Sequence, residues 1–248
     1  MIVFITGASA GFGAAIARAF VRDGHRVVAT ARRIERLQAL AAELGGALLP
    51  LELDVRDRDA VAAVPAALPA GFSEVDLLVN NAGLALGLEP AHQASLDDWQ
   101  TMIDTNCTGL VQVTRALLPG MVERRRGHVI NIGSVAASWP YAGGNVYGAT
   151  KAFVHQFSLN LRADLHGTGV RVSCVEPGLC GGTEFSNVRF HGDDARAAGV
   201  YAGVQPLGAE DIAESVRWIA TLPAHVNVNS VELMPVAQSF GGLTVHRG

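Results

Sequence analysis

Tyr147 and Lys151, four residues apart in the run Tyr-Gly-Ala-Thr-Lys, carry the first chemical suggestion in this 248-residue chain. At helical spacing such residues share one face, so the phenol and the ammonium are neighbours. A phenol with a reference pKa of about 10 is a poor acid–base group at neutral pH, and a nearby cation favours its ionised form. The pair could then take a proton from an alcohol or return one to a carbonyl. Ser134 closes an upstream apolar run and has a hydroxyl able to hold the reacting oxygen. A Tyr–Lys pair at this spacing is common by chance, so its weight depends on what surrounds it.

A redox partner for that chemistry has a natural place near the N-terminus. Thr6-Gly7-Ala8-Ser9-Ala10-Gly11-Phe12-Gly13 follows an apolar β-branched run and precedes an alanine-rich helical stretch. Glycines let backbone approach a pyrophosphate, and a helix start offers free N–H groups with partial positive charge. The residues expected to contact a dinucleotide here are Gly7, Ser9, Ala10, Gly11, Phe12 and Gly13. The spacing is TGxxxGxG rather than GxGxxG, and a structural turn is the competing reading.

The second apolar run ends Ala29-Thr30-Ala31-Arg32-Arg33, where NAD-binding folds usually carry an acid for the ribose 2′-hydroxyl. Two guanidiniums suit a 2′-phosphate instead, so Arg32 and Arg33 favour NADP(H), with solvated helix-leading charges as the alternative. Asp54 and Val55, after the third run, are placed to meet the adenine, or Asp54 simply ends a strand. Asn80-Asn81-Ala82-Gly83 closes the fourth run; Asn81 and Gly83 are expected at the ribose, while a structural turn competes most strongly at Asn80.

These groups must be held by elements, and the chain supplies them in alternation. Ile2–Thr6, Arg26–Thr30, Leu48–Leu53, Leu77–Asn80, His128–Ile132, Val170–Val175 and Ser230–Met234 read as strands, mostly continuous and apolar as in parallel sheets buried on both faces. Helical periodicity covers Gly13–Asp23, Glu35–Leu44, Leu96–Val122, Ala149–Leu165 and Ala209–Thr221, with Ser95 and Asp98 a capping signal. The expectation is an α/β fold: one Rossmann-type, doubly wound domain over residues 1–248 with right-handed crossovers.

Bulk properties narrow the partners. Apolar residues make up 49% and charged residues 17%, a globular composition. A net charge of −4 argues against a nucleic-acid partner, and the one basic run, Arg124-Arg125-Arg126, reads as a solvated loop. No run of about 18 apolar residues suggests a membrane span. Met1–Ile5 runs straight into the glycine loop, leaving no room for a secretory signal. Cys107, Cys174 and Cys180 form no CxxC pair and the eight histidines no HxxxH pair, so no metal site is expected. A cytoplasmic, reducing compartment follows as the expectation.

TGxxxGxG, NNAG, Ser134 and YxxxK together resemble the short-chain dehydrogenase/reductase family along the whole chain. The resemblance implies a seven-stranded parallel sheet, a homodimer or homotetramer, and a tetrad. In it Asn106 holds a relay water, Ser134 orients substrate, Tyr147 is the acid–base, and Lys151 binds the ribose while lowering the phenol's pKa. Glu176-Pro177-Gly178 opens an irregular segment reaching to about Pro206, and the resemblance implies that residues 178–206 contact the nicotinamide and cover the substrate. Pro177, Gly178 and Thr183 are the expected contacts there. The family's threonine falls five residues after the proline, where this chain has Gly182, with Thr183 one later.

Within that family, Asn81–Gly87, Pro90–His92, Ser138–Tyr147, Gly181–Phe190 and Leu222–Asn227 are similar to a bacterial branch of NADP-dependent 3-hydroxy acid dehydrogenases. That branch acts on L-serine, L-allo-threonine and 3-hydroxy acids, and some members reduce malonic semialdehyde. A substrate carboxylate would be held by Arg189, or by loop hydroxyls and amides with Tyr141; an outward-facing Arg189 is the alternative. Cys180 reads as a small packing residue near the cofactor and His191 as solvent-facing. Competing functions are a broader carbonyl or 3-oxoacyl reductase and a non-catalytic NADP(H)-sensing scaffold. The long helices Leu96–Val122 and Ala149–Leu165 are the expected dimerising pair, with Pro235–Gly248 a second interface.

Overall fold

The apolar runs become strands β1 (Ile2–Thr6), β2 (Arg26–Ala31), β3 (Leu48–Glu52), β4 (Leu77–Asn80), β5 (Gly127–Ile132), β6 (Val170–Pro177) and β7 (Ser230–Leu233). In the computed structural model, which describes residues 1–241, they form one seven-stranded parallel sheet in the order β3-β2-β1-β4-β5-β6-β7. Every residue of β1 and β4 is buried, as central strands covered on both faces must be. At the edge, β7 alternates between exposed and half-buried positions.

Helices cover both faces because each carries one apolar stripe. On one side α1 (Gly11–Arg22), α2 (Ile34–Leu44) and α9 (Ala209–Thr221) bury Ile16, Phe20, Leu37, Ile212 and Ile219 against Ile5 and Val27. On the other, α3 (Arg58–Ala67), α5 (Leu110–Glu123) and α6 (Asn145–Asp164) bury Val61, Leu117, Met121 and Leu161 against Phe4, Val28 and Leu78. The strand order reverses between β1 and β4, so a crevice opens beyond the strand C-termini there.

Four expectations need correction. The helix expected over Leu96–Val122 is α4 (Leu96–Ile103), a π turn at Asp104–Gly109, and α5. One extra residue per turn re-aims Asn106, and Gly109 admits Val55, whose Cγ2 lies 2.6 Å from where a Cβ would stand. Helix α6 starts at Asn145 rather than Ala149, which puts Tyr147 in its first turn. Helix α3 went unread; Asp57 caps it through the amides of Asp59 and Ala60, but Pro65 interrupts its helical pattern. The covering stretch is not irregular throughout: it holds α7 (Phe185–Arg189) and α8 (Asp194–Gly199).

The covering stretch leaves and rejoins the body at one place. Cys180 and Leu207 form a parallel bridge, with Gly181 N donating to Leu207 O at 2.9 Å and Leu207 N to Leu179 O at 3.0 Å. The basic run is structural rather than free: Arg124 donates to Val75 O at 2.7 Å and Arg126 to Asp76 at 2.9 Å. Of the Pro235–Gly248 segment, residues 242–248 lie outside the described residues.

Candidate active site

A cleft of about 580 Å³ lies beyond the strand C-termini and gathers the residues singled out from spacing. Its floor is the glycine loop. Gly7 and Gly11 sit at φ +68° and +52°, the left-handed region that favours glycine. A Cβ on Gly13 would stand 2.5 Å from Gly7 O. Helix α1 begins at Gly11 with no side-chain cap and no acid in its first turn, so first-turn amides and the positive end of the helix remain available. These features fit a dinucleotide's pyrophosphate. Asn81 Nδ2 ties this floor together by donating to Thr6 O at 2.9 Å and Gly7 O at 3.1 Å. Asn80 instead joins a buried network through Thr114 and Asn131, a structural role.

Beside the floor stand the cations expected to select the cofactor. Arg32 and Arg33 line the cleft, and Arg33 donates to Ser9 Oγ at 3.1 Å. A third cation, Arg36, was missed from spacing; it comes into the group because Glu184 binds both Arg33 and Arg36. Asp54 and Val55 also line the cleft, with the Asp54 carboxylate gripped by Arg56, which holds its pKa below the usual range. The cation group and the absence of an acid at Arg32 fit a 2′-phosphate.

The opposite end brings Ser134, Tyr147 and Lys151 together, all buried. Ser134 Oγ accepts from Ala136 N at 3.1 Å and donates to Pro177 O at 3.4 Å. Lys151 Nζ donates to Ile132 O at 2.9 Å and lies 5.8 Å from the Tyr147 ring centroid. Burial pushes Tyr147 up to about 12, opposed by the neighbouring Ser134 hydroxyl and by Arg189, and pushes Lys151 down to about 8. The spacing shows the neighbouring ammonium but carries no sign of the burial that acts on both groups.

Asn106 sits in the π turn. Its Oδ1 accepts from Leu84 N at 2.9 Å, while its Nδ2 donates to Leu84 O at 2.8 Å and Thr150 Oγ1 at 3.0 Å. Thr150, itself donating to Tyr147 O at 2.8 Å, is another positioning group that spacing missed. Gly83 lies against both Asn106 and Lys151.

The covering stretch closes the cleft. Pro177 and Gly178 line it, and Leu179 N donates to Gln238 Oε1 at 2.6 Å from the C-terminal segment. Thr183 lies on the glycine loop, 3.3 Å from where a Cβ on Gly11 would stand. Arg189 turns inward: its Nη2 donates to Tyr141 Oη at 2.8 Å, its guanidinium lies 5.2 Å from the Tyr147 ring centroid, and its buried Nε lacks a partner. Cys180 lines the cleft with its thiol pushed up to about 12 by burial, and His191 pairs with Asp98 on the exterior. His155, Cys174 and Glu176 also approach one another within 4.8 Å, but His155 Nδ1 and Glu176 Oε1 are already hydrogen-bonded at 2.9 Å.

The profile of the short chain dehydrogenase family matches residues 1–193. The chain belongs to that family. Among its short chain dehydrogenase relatives, the NADP-dependent 3-hydroxy acid dehydrogenase of Salmonella typhi is 68% identical over 247 residues, covering 100% of each chain. The serine 3-dehydrogenase of Agrobacterium fabrum is 56% identical over 245 residues, covering 99% of this chain and 98% of its own. The closed form of a serine dehydrogenase complexed with NADP+ superposes with a TM-score of 0.99 at 65% identity, covering 100% of both chains.

Proposed function

We propose that this short chain dehydrogenase interconverts the 3-hydroxyl and 3-keto groups of small 3-hydroxy acids, such as L-serine, L-allo-threonine or 3-hydroxypropionate, using NADP(H). The observation that carries the reading is Arg189, a cation turned into the cleft beside Tyr147 with a buried donor unpartnered. A carboxylate is the acceptor such a guanidinium suits, and the named activities of the relatives agree with it.

NADP, when bound, supplies the hydride donor or acceptor. The glycine loop from Gly7 to Gly13 would hold its pyrophosphate, Arg32, Arg33 and Arg36 its 2′-phosphate, Asp54 and Val55 its adenine end. Asn81, Gly83 and Lys151 would meet its ribose, with Pro177, Gly178 and Thr183 at the nicotinamide. Ser134 Oγ and Tyr147 Oη hold the reacting oxygen between them. The proton of a substrate hydroxyl passes to Tyr147 Oη in oxidation, and the neutral phenol returns it to the carbonyl oxygen in reduction. Lys151 stabilises negative charge on Tyr147, while Asn106, fixed by Leu84 and Thr150, anchors the relay. Arg189 and Tyr141 hold the carboxylate, and the covering stretch excludes water.

The assembly is proposed as a homotetramer in the cytoplasm. Supporting it are exposed apolar side chains on two surfaces, Phe153 and Leu159 on α6 and Trp218 on α9, and three free thiols suited to a reducing compartment. Among the described residues no helix is long and apolar enough to cross a membrane.

The test is initial rates with NADP+ and NAD+ in parallel on L-serine, L-allo-threonine, 3-hydroxypropionate and a plain secondary alcohol. Preferential turnover of the acids with NADP+ supports the reading; turnover of the plain alcohol alone overturns the substrate. Tyr147→Phe should remove nearly all turnover while NADPH affinity stays within about twofold. Unchanged turnover in that variant would take the phenol out of the reaction.

A further inference from the structure

We propose that Glu184 is a positioning residue: by fastening α7 to the cofactor-selecting arginines at one end, it sets Arg189 over the reacting groups at the other. The proposal rests on the reading of Arg189 as the carboxylate anchor. Glu184 immediately precedes α7, its carboxylate turned to the arginines and not onto the helix amides, and Arg189 is the last residue, so the two are separated by about 7 Å of helical rise. At that length the element moves as one piece, held between its ends by Ser186 on Tyr201 and Phe185 on Tyr147 and at its ends by polar contacts.

Those contacts are of different kinds. The Glu184 carboxylate splits between two cations, Oε2 to Arg33 Nη1 at 2.9 Å and Oε1 to Arg36 Nη1 at 2.7 Å. Thr183 beside it lies against the glycine loop at Gly11. At the far end Arg189 O accepts from Gly87 N at 2.9 Å, and the guanidinium reaches Tyr141 and Tyr147. The strut therefore spans the cleft from the cation group to the phenol.

The cation group also needs such an acid. Arg33 and Arg36 place like charges side by side, and the carboxylate between them relieves that repulsion. Each guanidinium offers five N–H donors, so serving Glu184 leaves donors on both for a 2′-phosphate. Surface pairs at this exposure are individually weak, but here one carboxylate is shared by two arginines and reports on both. Engagement of the arginine end and presentation of Arg189 are thereby linked through a single short helix.

The experiment compares the full-length protein with Glu184→Gln and Glu184→Asp. For Glu184→Gln, KM for 3-hydroxypropionate should rise roughly three- to fivefold with NADP+, as expected for loss of a shared exposed ion pair. The kcat, the KM for an uncharged secondary alcohol and the NADP+ affinity by calorimetry should stay within about twofold, and Glu184→Asp should restore part of the KM. A second readout is tryptic cleavage after Arg196, in the covering stretch, identified by mass spectrometry in the presence of NADP+; it should accelerate in Glu184→Gln. Tighter NADP+ binding with unchanged KM would overturn the proposal, because Glu184 would then be a competitor for the phosphate site. Unchanged KM and unchanged cleavage would overturn it as well. If the unsubstituted enzyme failed to turn over carboxylate substrates, the proposed function would fall, while the cleavage comparison would still decide whether Glu184 fastens the helix.

Discussion

At the scale of single residues, Arg189 illustrates how a charged side chain becomes a selector. Its guanidinium lies over Tyr147 and Phe185, at 5.2 and 5.3 Å from the ring centroids, so the group is held by aromatic faces as well as by Tyr141 Oη. Removing the cation leaves those faces without a donor for a carboxylate. Arg189→Leu should raise KM for 3-hydroxy acids about 10- to 100-fold, the worth of a charge-assisted hydrogen bond, with little change for an uncharged alcohol. Steady-state kinetics on the two substrate classes decides it. Equal effects on both would place the role of Arg189 in holding α7 rather than in binding the acid. Residue chemistry of this kind was only partly legible. The Tyr147–Lys151 pair and the Arg32-Arg33 step are local in sequence and could be read. Glu184 meets Arg36 across 148 positions, a contact that spacing does not carry.

At the scale of elements, the β1–α1 turn shows how backbone geometry is specified. Gly13 occupies the first turn of α1, where its missing Cβ leaves room for Gly7 O, Asn81 Nδ2 and Ala8 Cα within 2.8 Å of the vacant position. Backbone cannot retreat there without moving the strand and helix it joins. Gly13→Ala should lower stability by about 1–3 kcal/mol through overpacking. It should also shrink the rise in Tm that saturating NADP+ produces, because the amides that meet the pyrophosphate are displaced. Thermal unfolding with and without NADP+ tests both. An undiminished shift would show that the turn tolerates the methyl. This turn was legible because its glycines sit between a β-branched run and an alanine-rich helix. The π turn was not. Asp104–Gly109 differs from ordinary helix by one residue per turn, and the side chains that favour it, Asn106 on Leu84 and Gly109 on Val55, act across the fold.

At the scale of the whole molecule, stability against acid should trace a group far from the cleft. His128, at the start of β5, is 3% exposed; its Nε2 lies 2.9 Å from Ser173 Oγ, and its Nδ1 is unpartnered. Burial, with Arg171 nearby, pushes it down to about 3 from a reference of 6.5. Between those values the unfolded chain binds the extra proton and the folded one does not, so stability falls as pH drops from about 6.5 towards 3. The slope from this one group approaches about 1.4 kcal/mol per pH unit. Denaturant unfolding of wild type and His128→Gln from neutral to acid pH should show the difference between them moving in favour of the variant as pH falls. Parallel curves would remove His128 from the acid response. The doubly wound arrangement itself was legible, since continuous apolar runs alternating with helical periods leave few other solutions. Burial of one histidine between two strands was not, because a polar residue in an apolar run carries no mark of its depth.

The bridge between Cys180 and Leu207 has a consequence for how such an enzyme changes its substrate. The covering stretch departs from and returns to neighbouring points on the body, so the ends of any replacement are already close together. Lengthening such an excursion is thermodynamically mild, about 0.6 kcal/mol for each doubling. The sheet, the glycine loop and the Tyr147–Lys151 pair all lie outside it. Residues 181–206 carry the substrate anchor Arg189 together with Thr183 and Glu184, so replacing this one segment would change the substrate contact and its tie to the cofactor end at once.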